Sequence, residues 1–364
     1  MPWLLLLVLL TGRAAGGAVY VIRRFHRFDF LQRLGEKHRI LSWLLALLPV
    51  AACAAFCWIN VYAAVIVFLH LVLFWLLCDF AAFLVQKRTK KERRPSFAGT
   101  AAMIITVIYL GFGWFFAHHV FRTDYTFRTE KKLGGSLRIA EIADSHLGIT
   151  LDGEDFAREM QKVQAAEPDV VVIVGDFVDD DTRKADMEIA CRALGDLRAT
   201  YGVYFVFGNH DKAYFNYRDF TSEDLRSALS ENGVVILEDE AVLIDGRFYL
   251  IGRQDRSVPD RADMETLTEG LYSDMYQIVL DHQPNDYADE SAAEVDLVLS
   301  GHTHGGHIFP AGVIGRLIGA NDRVYGTEVR GKTTFLVTSG ISGWAIPFKT
   351  GTISEFVIID VVGK

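Results

Sequence analysis

Carboxylates and imidazoles in this 364-residue chain recur at one kind of place, just past an apolar, strand-like run. Val295 to Leu299, broken only by Asp296, leads into Ser300-Gly301-His302-Thr303-His304-Gly305-Gly306-His307. Histidines at i and i+2 point the same way in extended backbone, so a turn after a strand aims both rings into one cleft. Neutral imidazole is a common ligand of transition metals. The glycines around the pair let backbone pass close to an ion or a phosphate. Alone, such a pair is as consistent with a polar surface turn. Four further runs end the same way. Leu137 to Ala143 leads to Asp144-Ser145-His146, and Val170 to Val174 leads to Gly175-Asp176. Val203 to Phe207 leads to Gly208-Asn209-His210-Asp211, and Tyr276 to Leu280 leads to Asp281-His282. Donors past the carboxyl ends of five strands are the arrangement of a site at the edge of an α/β sheet. Carboxylate, imidazole and amide oxygen suit borderline divalent ions such as Mn²⁺, Fe²⁺ or Zn²⁺. Two such ions about 3.5–4 Å apart clamp an in-line displacement at phosphorus and lower the pKa of a bridging water.

The elements that must position these loops alternate. Helical spacing runs over 153–166, with Phe156, Met160 and Val163 on one side, and again over 184–198 and 222–232. Further strand-like runs lie at 234–237, 248–251, 334–338 and 355–360. The early βαβ order predicts a parallel part, and the strand-rich later half a second sheet. No internal repeat or low-complexity segment interrupts this pattern.

The N-terminal third differs. Before Arg122 the chain has 13 Lys+Arg against 4 Asp+Glu, and from Arg122 onward 24 against 42. An acidic second part, net −18, argues against a nucleic-acid partner bound by a basic face. Four apolar stretches, Trp3 to Ile22, Ile40 to Trp58, Val61 to Val85 and Ala101 to Phe121, are each close to the ~20 residues of a crossing. The first competes with a signal peptide but lacks a basic start, which favours an uncleaved span. The basic loops Arg23–Arg39 and Lys87–Arg94 fall on one side, and the positive-inside rule makes that side cytoplasmic. Everything after Arg122 is then extracytoplasmic. His70 and Asp79, nine residues apart, fall on opposite faces of one helix and are not expected to form one site. Arg13 reads as a snorkelling residue and His118 and His119 as interfacial ones. The expected organisation is a transmembrane region of about four helices over 1–121, a short linker over 122–136 and an α/β domain that carries the donor loops over 137–364. That linker reaches at most about 45 Å, and less if the alternating Tyr125 to Thr129 adds an edge strand. Cys191 stands alone in the second part, so no disulfide framework is available there.

The ordered set Asp144/His146, Gly175-Asp176-Phe177-Val178-Asp179, Gly208-Asn209-His210-Asp211, His282 and Gly301-His302-Thr303-His304 resembles the calcineurin-like metallophosphoesterases. The resemblance covers roughly Ser136 to the C-terminus. Ser339-Gly340-Ile341-Ser342-Gly343-Trp344 through Glu355 is similar to the membrane-associated or secreted bacterial branch, which usually writes GHTHGGQ where this chain has His307. The resemblance implies two facing mixed β-sheets flanked by helices. It also implies two metal ions, one held by Asp144, His146, Asp176 and His304, the other by Asp176, Asn209, His282 and His302. Asp176 then bridges, a role that needs the two oxygens of a carboxylate. His210 is expected to serve the substrate, as an imidazolium that stabilises phosphoryl oxygens or protonates the leaving group, with Asp211 to orient it. Asp179 is expected behind the site, Asp255 in a pocket wall, and His307 as substrate contact, weak extra ligand or exposed residue.

The leading expectation is a metal-dependent hydrolase of a phosphodiester or pyrophosphate, membrane-anchored, on a lipid-linked substrate such as a UDP-diacylglucosamine-like compound. The competing readings are a phosphoprotein or phosphomonoester phosphatase, and a non-catalytic membrane sensor of a phosphate ligand. A transporter with an accessory domain needs an ion path that few polar residues in the spans support.

Overall fold

The structure, a computed structural model, describes residues 2–90, 95–212 and 217–363, with side chains described from Ala14 onward. It divides into two compact units, Met1–Phe112 and Gly113–Lys364.

The first unit is helical: α1 (Pro2–His26), α2 (Asp29–Lys37), α3 (Arg39–Ala46), α4 (Leu48–Ala55), α5 (Val61–Thr89) and the start of α6 (Pro95–His118). Among the described residues three segments are long and apolar enough to cross a membrane, Arg39–Trp58, Val61–Thr89 and Ser96–His118. The expected first span lies within α1, but its early side chains, Arg13 included, fall outside the described residues, as do Lys91, Arg93 and Arg94 of the second basic loop. Arg39–Trp58 is broken at Leu47, where α3 ends and Pro49 enters the first turn of α4. Proline there removes one helix hydrogen bond and is tolerated only near a helix start. The first basic loop holds the short helix α2. Asp79 pairs with Arg24 and Tyr20, while His70 bonds Ile66 of its own helix, so the two do not share a site.

The second unit is built on twelve strands. In chain order they are β1 (Val120–Arg128), β2 (Ser136–Ile142), β3 (Val170–Val174), β4 (Val203–Val206), β5 (Val235–Ile236), β6 (Glu240–Ile244), β7 (Phe248–Gly252), β8 (Tyr276–Leu280), β9 (Leu297–Ser300), β10 (Gly326–Arg330), β11 (Thr333–Val337) and β12 (Ser354–Val362). They form two six-stranded mixed sheets, ordered β1-β12-β2-β3-β4-β5 and β10-β11-β9-β8-β7-β6. β2 to β5 run parallel, as do β7, β8, β9 and β11. The helices are α7 (Gly153–Gln164), α8 (Lys184–Gly195), α9 (Ser222–Glu231), α10 (Met264–Thr268), α11 (Tyr287–Ala292) and α12 (Ala311–Leu317).

The strands read as continuous apolar runs because both faces are buried. On β3, Val170, Val172 and Val174 join Leu250, Ile278 and Leu299 between the sheets. Val171 and Ile173 face the other way, onto Phe156 of α7 and Met187 of α8. On the far side of the second sheet, Val279 and Phe335 pack with Met264 of α10 and Tyr287 of α11. The result is a helix, sheet, sheet, helix stack. Parallel strands fed by crossover helices bring their carboxyl ends to one edge, which is where the site loops begin.

One expected segment is rebuilt. Residues 122–136 are not a free linker throughout, since Arg122 to Arg128 belong to β1, which pairs with β12 from Val120↔Ser354 to Arg128↔Val362. His119 alone separates α6 from β1, so the reach of about 45 Å is not available. β6 is a second difference. It pairs with β7 through a three-residue connection, Asp245 to Arg247, in which Asp245 and Gly246 have φ of 49° and 63°. Two positive φ values make the tight turn whose twist suits a hairpin, and Asp-Gly is its sequence signal.

Candidate metal centre

Five residues of the strand-edge loops hold left-handed backbone: Asp144 (φ 55°), His146 (36°), Asp176 (52°), His302 (67°) and His304 (47°). Such a residue costs roughly 1–3 kcal/mol unless it is glycine, and persists where its surroundings fix it. All five carry a carboxylate or an imidazole. The loops turn back sharply after each strand, and this conformation aims the side chains over the sheet edge.

Three groups of donors result. Asp144, His146 and His304 converge, as do Asp176, His282 and His302, and between them His146, Asp179 and His210. Asp176 links the first two: its Oδ2 lies 3.0 Å from His282 Nε2 and 3.6 Å from His146 Nε2. Its Oδ1 accepts from the His210 backbone N–H at 2.8 Å. Asp144 accepts from the His302 N–H at 2.9 Å. Close approach makes glycine obligatory here. A Cβ on Gly301 would sit 2.5 Å from Asp144 Oδ2, and one on Gly208 would strike Asp176.

Backbone and carboxylate partners fix the rings. His282 Nδ1 donates to Val174 O at 2.8 Å, and His304 Nδ1 to Ser342 O at 3.2 Å. His146 Nδ1 donates to Asp179 Oδ2 at 3.1 Å. The Nε2 of each ring faces the centre, and at His282 burial is outweighed by Asp176 and Asp144, which raise its pKa well above the usual value. His146 Nε2 and His304 Nε2 stand 3.2 Å apart. Two lone pairs at that distance repel unless a cation or proton lies between them. His302 Nδ1 is buried with no hydrogen-bond partner, and His282 Nε2 meets only the Asp176 carboxylate at 3.0 Å; an orphaned buried ring nitrogen is costly unless a bound ion takes it.

The ionisation states agree. Burial, helped by neighbouring imidazoles, pushes His304 well below its usual value and His302 down to about 4, so both rings are neutral. Burial raises Asp176, but His282, His146 and His210 outweigh it and hold the carboxyl below its usual range. Burial, with the charge of Asp176, raises Asp144 to about 6. Closely set carboxylates and neutral imidazoles fit divalent cations.

His210 stands beside the two groups. Its Nδ1 bonds Asp179 Oδ1 at 3.0 Å, and its ring lies 5.5 Å from Trp344. Burial lowers its pKa, but the Asp179 hydrogen bond and the charges of Asp176 and Asp179 outweigh this, and the net shift is upward.

Asp211 does something other than orient His210. Its carboxylate accepts backbone N–H groups of Asp176, Phe177, Val178 and Gly208 at 2.7–3.1 Å. It braces the loop that carries Asp176, and the carboxylate on the His210 ring is that of Asp179. Asn209 sits in the same loop and its Oδ1 meets Gln283 Nε2 at 3.4 Å. Asp255 stands behind it, gripping Gln283 Nε2 at 2.9 and 3.1 Å. His307 is stacked on His304 at 5.3 Å with its Nε2 buried and unpartnered, so it is not an exposed residue. Ser342, Val174 and Gln283 enter through backbone or amide contacts that no residue-type pattern reveals.

A cavity of about 780 Å³ opens from the centre, lined by His302 and Gln283 and walled by Arg256, Asn285, Arg316 and Asn321. Two arginines facing a cation site suit an anionic ligand.

Two sheets whose edge loops gather two donor clusters around one shared carboxylate define a dinuclear metal-binding site. The calcineurin-like phosphoesterase family matches residues 137–306. A metallophosphoesterase of Aquifex aeolicus is 33% identical over 249 residues, covering 66% of this chain and 91% of that protein. One of Campylobacter jejuni is 32% identical over 63% of this chain and 60% of that one. A transmembrane protein with metallophosphoesterase domain of Bos taurus is 32% identical over 60% of this chain and 52% of its own length. The chain thus spans a little over half the length of these last two relatives. It belongs to the calcineurin-like phosphoesterase family, with three segments among its described residues long and apolar enough to cross a membrane.

Proposed function

We propose that the chain is a metal-dependent phosphoesterase that hydrolyses a phosphodiester or pyrophosphate bond, on the extracytoplasmic side and on a lipid-linked substrate. The observation that carries the reading is the pair of clusters linked by Asp176, whose Oδ2 faces both His282 and His146, with the His210–Asp179 couple at their edge. Asp144, His146, Asp176 and His304 would hold one ion, and Asp176, Asn209, His282 and His302 the other. When bound, the ions supply Lewis acidity toward phosphoryl oxygens and an acidified water.

The chain's own residues do the rest. Arg256 and Arg316 draw an anionic group into the cavity. Asp179 fixes the His210 ring and favours its charged form, so His210 delivers a proton to the departing oxygen. Asp211 keeps the Asp176 loop rigid. A diester or pyrophosphate carries a second substituent on phosphorus besides the group that departs, and the cavity of about 780 Å³ has room for it.

The test uses the purified full chain with Mn²⁺, on 4-nitrophenyl phosphate and bis(4-nitrophenyl) phosphate. Faster turnover of the diester, abolished by chelation and restored by metal, supports the reading. Turnover of the monoester alone, or turnover indifferent to chelation, overturns it.

A further inference from the structure

Five large apolar side chains lie exposed in a ten-residue stretch beside the metal centre. Phe309 is 59% exposed, Val313 54%, Ile314 51%, Leu317 80% and Ile318 73%. Val313, Ile314 and Leu317 fall at i, i+1 and i+4 and form one stripe on α12. Isolated exposed apolar residues are ordinary on a protein surface, but a contiguous ridge marks an interaction site.

The ridge is tied to the site. α12 follows the His304–His307 loop, and its Gly312 packs on Gly306 so closely that a Cβ on Gly306 would sit 2.6 Å from Gly312 Cα. A smaller cavity of about 250 Å³ lies between that loop and α12, lined by Gly306, Phe309, Val313 and Tyr325 among others.

The same loop is tied to the end of α6. Phe309 N donates to Thr350 Oγ1, and Thr350 N and Gly351 N donate to His307 O at 2.9 Å. On the other side of that segment Lys349 N donates to Gly113 O at 2.8 Å, Trp114 meets Phe348 at 5.7 Å, and Ser354 Oγ donates to Ala117 O at 2.9 Å. One short segment thus joins the last turns of a membrane-spanning helix to the loop that starts α12.

Charge agrees. Arg323 and Arg330, in the segment that follows α12, are both paired, Arg323 with Glu328 and Arg330 with Asp322 and Glu328. Among the described residues Arg316 of α12 has no ion pair, and it lines both cavities. An apolar stripe with an unpaired cation at its flank is the pattern of a helix lying in a lipid interface.

We propose that α12 and Phe309 insert into the lipid leaflet at which α6 ends, and that this seat passes an amphiphilic phosphoester from the leaflet to the metal centre. Leaflet insertion stands by itself. Delivery of the substrate rests on the phosphoesterase reading above.

The test uses the full chain in vesicles of equal parts phosphatidylcholine and phosphatidylglycerol. Leu317→Cys, in a Cys57→Ser background, carries an environment-sensitive fluorophore, and Glu231→Cys on α9 is the control. The expected result is a blue-shifted emission at 317 that spin-labelled acyl chains quench, with neither effect at 231. Water-like emission at 317 overturns the proposal. So does a blue shift that spin-labelled lipid leaves unquenched, which means a second copy or another protein covers α12. Leu317→Asp with Ile318→Asp should then cut turnover of a vesicle-embedded long-chain phosphodiester at least about tenfold, the scale of two large apolar side chains losing their burial, and spare bis(4-nitrophenyl) phosphate. Equal loss on both substrates overturns the delivery role. If the unaltered chain turns over neither substrate, the phosphoesterase reading fails and the quenching result still decides the insertion.

Discussion

His146 and His210 are held by the two oxygens of a single carboxylate, that of Asp179, at 3.1 and 3.0 Å. One ring belongs to a donor cluster and the other stands beside it. On the roles proposed for the two rings, Asp179 would couple the basicity of a ligand to the proton supply of the site.

That coupling separates two variants. His210→Ala should keep both metals and lose about 10²–10⁴ in turnover, the range for lost acid–base help. Asp179→Asn should lose turnover and also weaken metal binding by about 10–100-fold, because an amide cannot accept from both rings. Elemental analysis with turnover numbers checks both. Metal loss in His210→Ala would move that ring into the ligand set.

Asp176→Asn removes one of the two oxygens that face the shared position. The expected outcome is a fall in bound metal together with turnover, with the fold retained by circular dichroism. Full occupancy of both sites at normal turnover in this variant would refute the bridging role.

Residue types past the strand ends were enough to find the donors, because ligand chemistry restricts them to carboxylate, imidazole and amide. β3 was legible for a related reason: burial on both faces forces an unbroken apolar run. β1 was harder. Its residues alternate, and its partner β12 lies more than two hundred residues away, so Tyr125 to Thr129 gave an edge strand without saying where it pairs. Asp211 was misread because its bonds go to backbone N–H groups, which spacing does not reveal. α12 is seven residues with two glycines and shows no long periodicity. The Asp245-Gly246 turn carried a signal that short β6 strand residues did not reinforce.

Glu141 sits on β2, fully buried, and neither carboxyl oxygen has a hydrogen-bond partner. Burial, and then the charges of Glu355 and Asp144, raises its pKa well above the usual carboxyl value. The folded state keeps this proton to a higher pH than the unfolded state does. Stability from the neutral group is therefore fully present below about pH 4.5 and is lost as pH rises from there. Glu141→Gln removes the titration. Its melting temperature should match the unaltered chain near pH 4.5 and exceed it increasingly toward pH 8, by a few degrees for the roughly 1–3 kcal/mol of a buried unpaired group. A gap that is constant across this range would place the ionised form of Glu141 in the fold at all pH values.

The side of the membrane follows from charge and parity. Lys87 and Arg88 end α5, and the basic stretch continues to Arg94 before α6. The positive-inside rule places such a loop in the cytoplasm. One further crossing, Ser96–His118, would then lead to β1 on the outside, whether or not α1 also spans. On that proposed side the metal centre would meet no cytoplasmic nucleotide pool, and its substrates would come from the outer leaflet or the envelope. Protease added to intact cells or protoplasts should cleave exposed loops of the second unit, and should spare the Lys87–Arg94 loop until the membrane is opened. Protection of residues 120–363 in intact cells would invert the topology. The substrate would then be sought among nucleotide-linked lipid precursors of the cytoplasmic leaflet, and the same metal centre would serve a different pool.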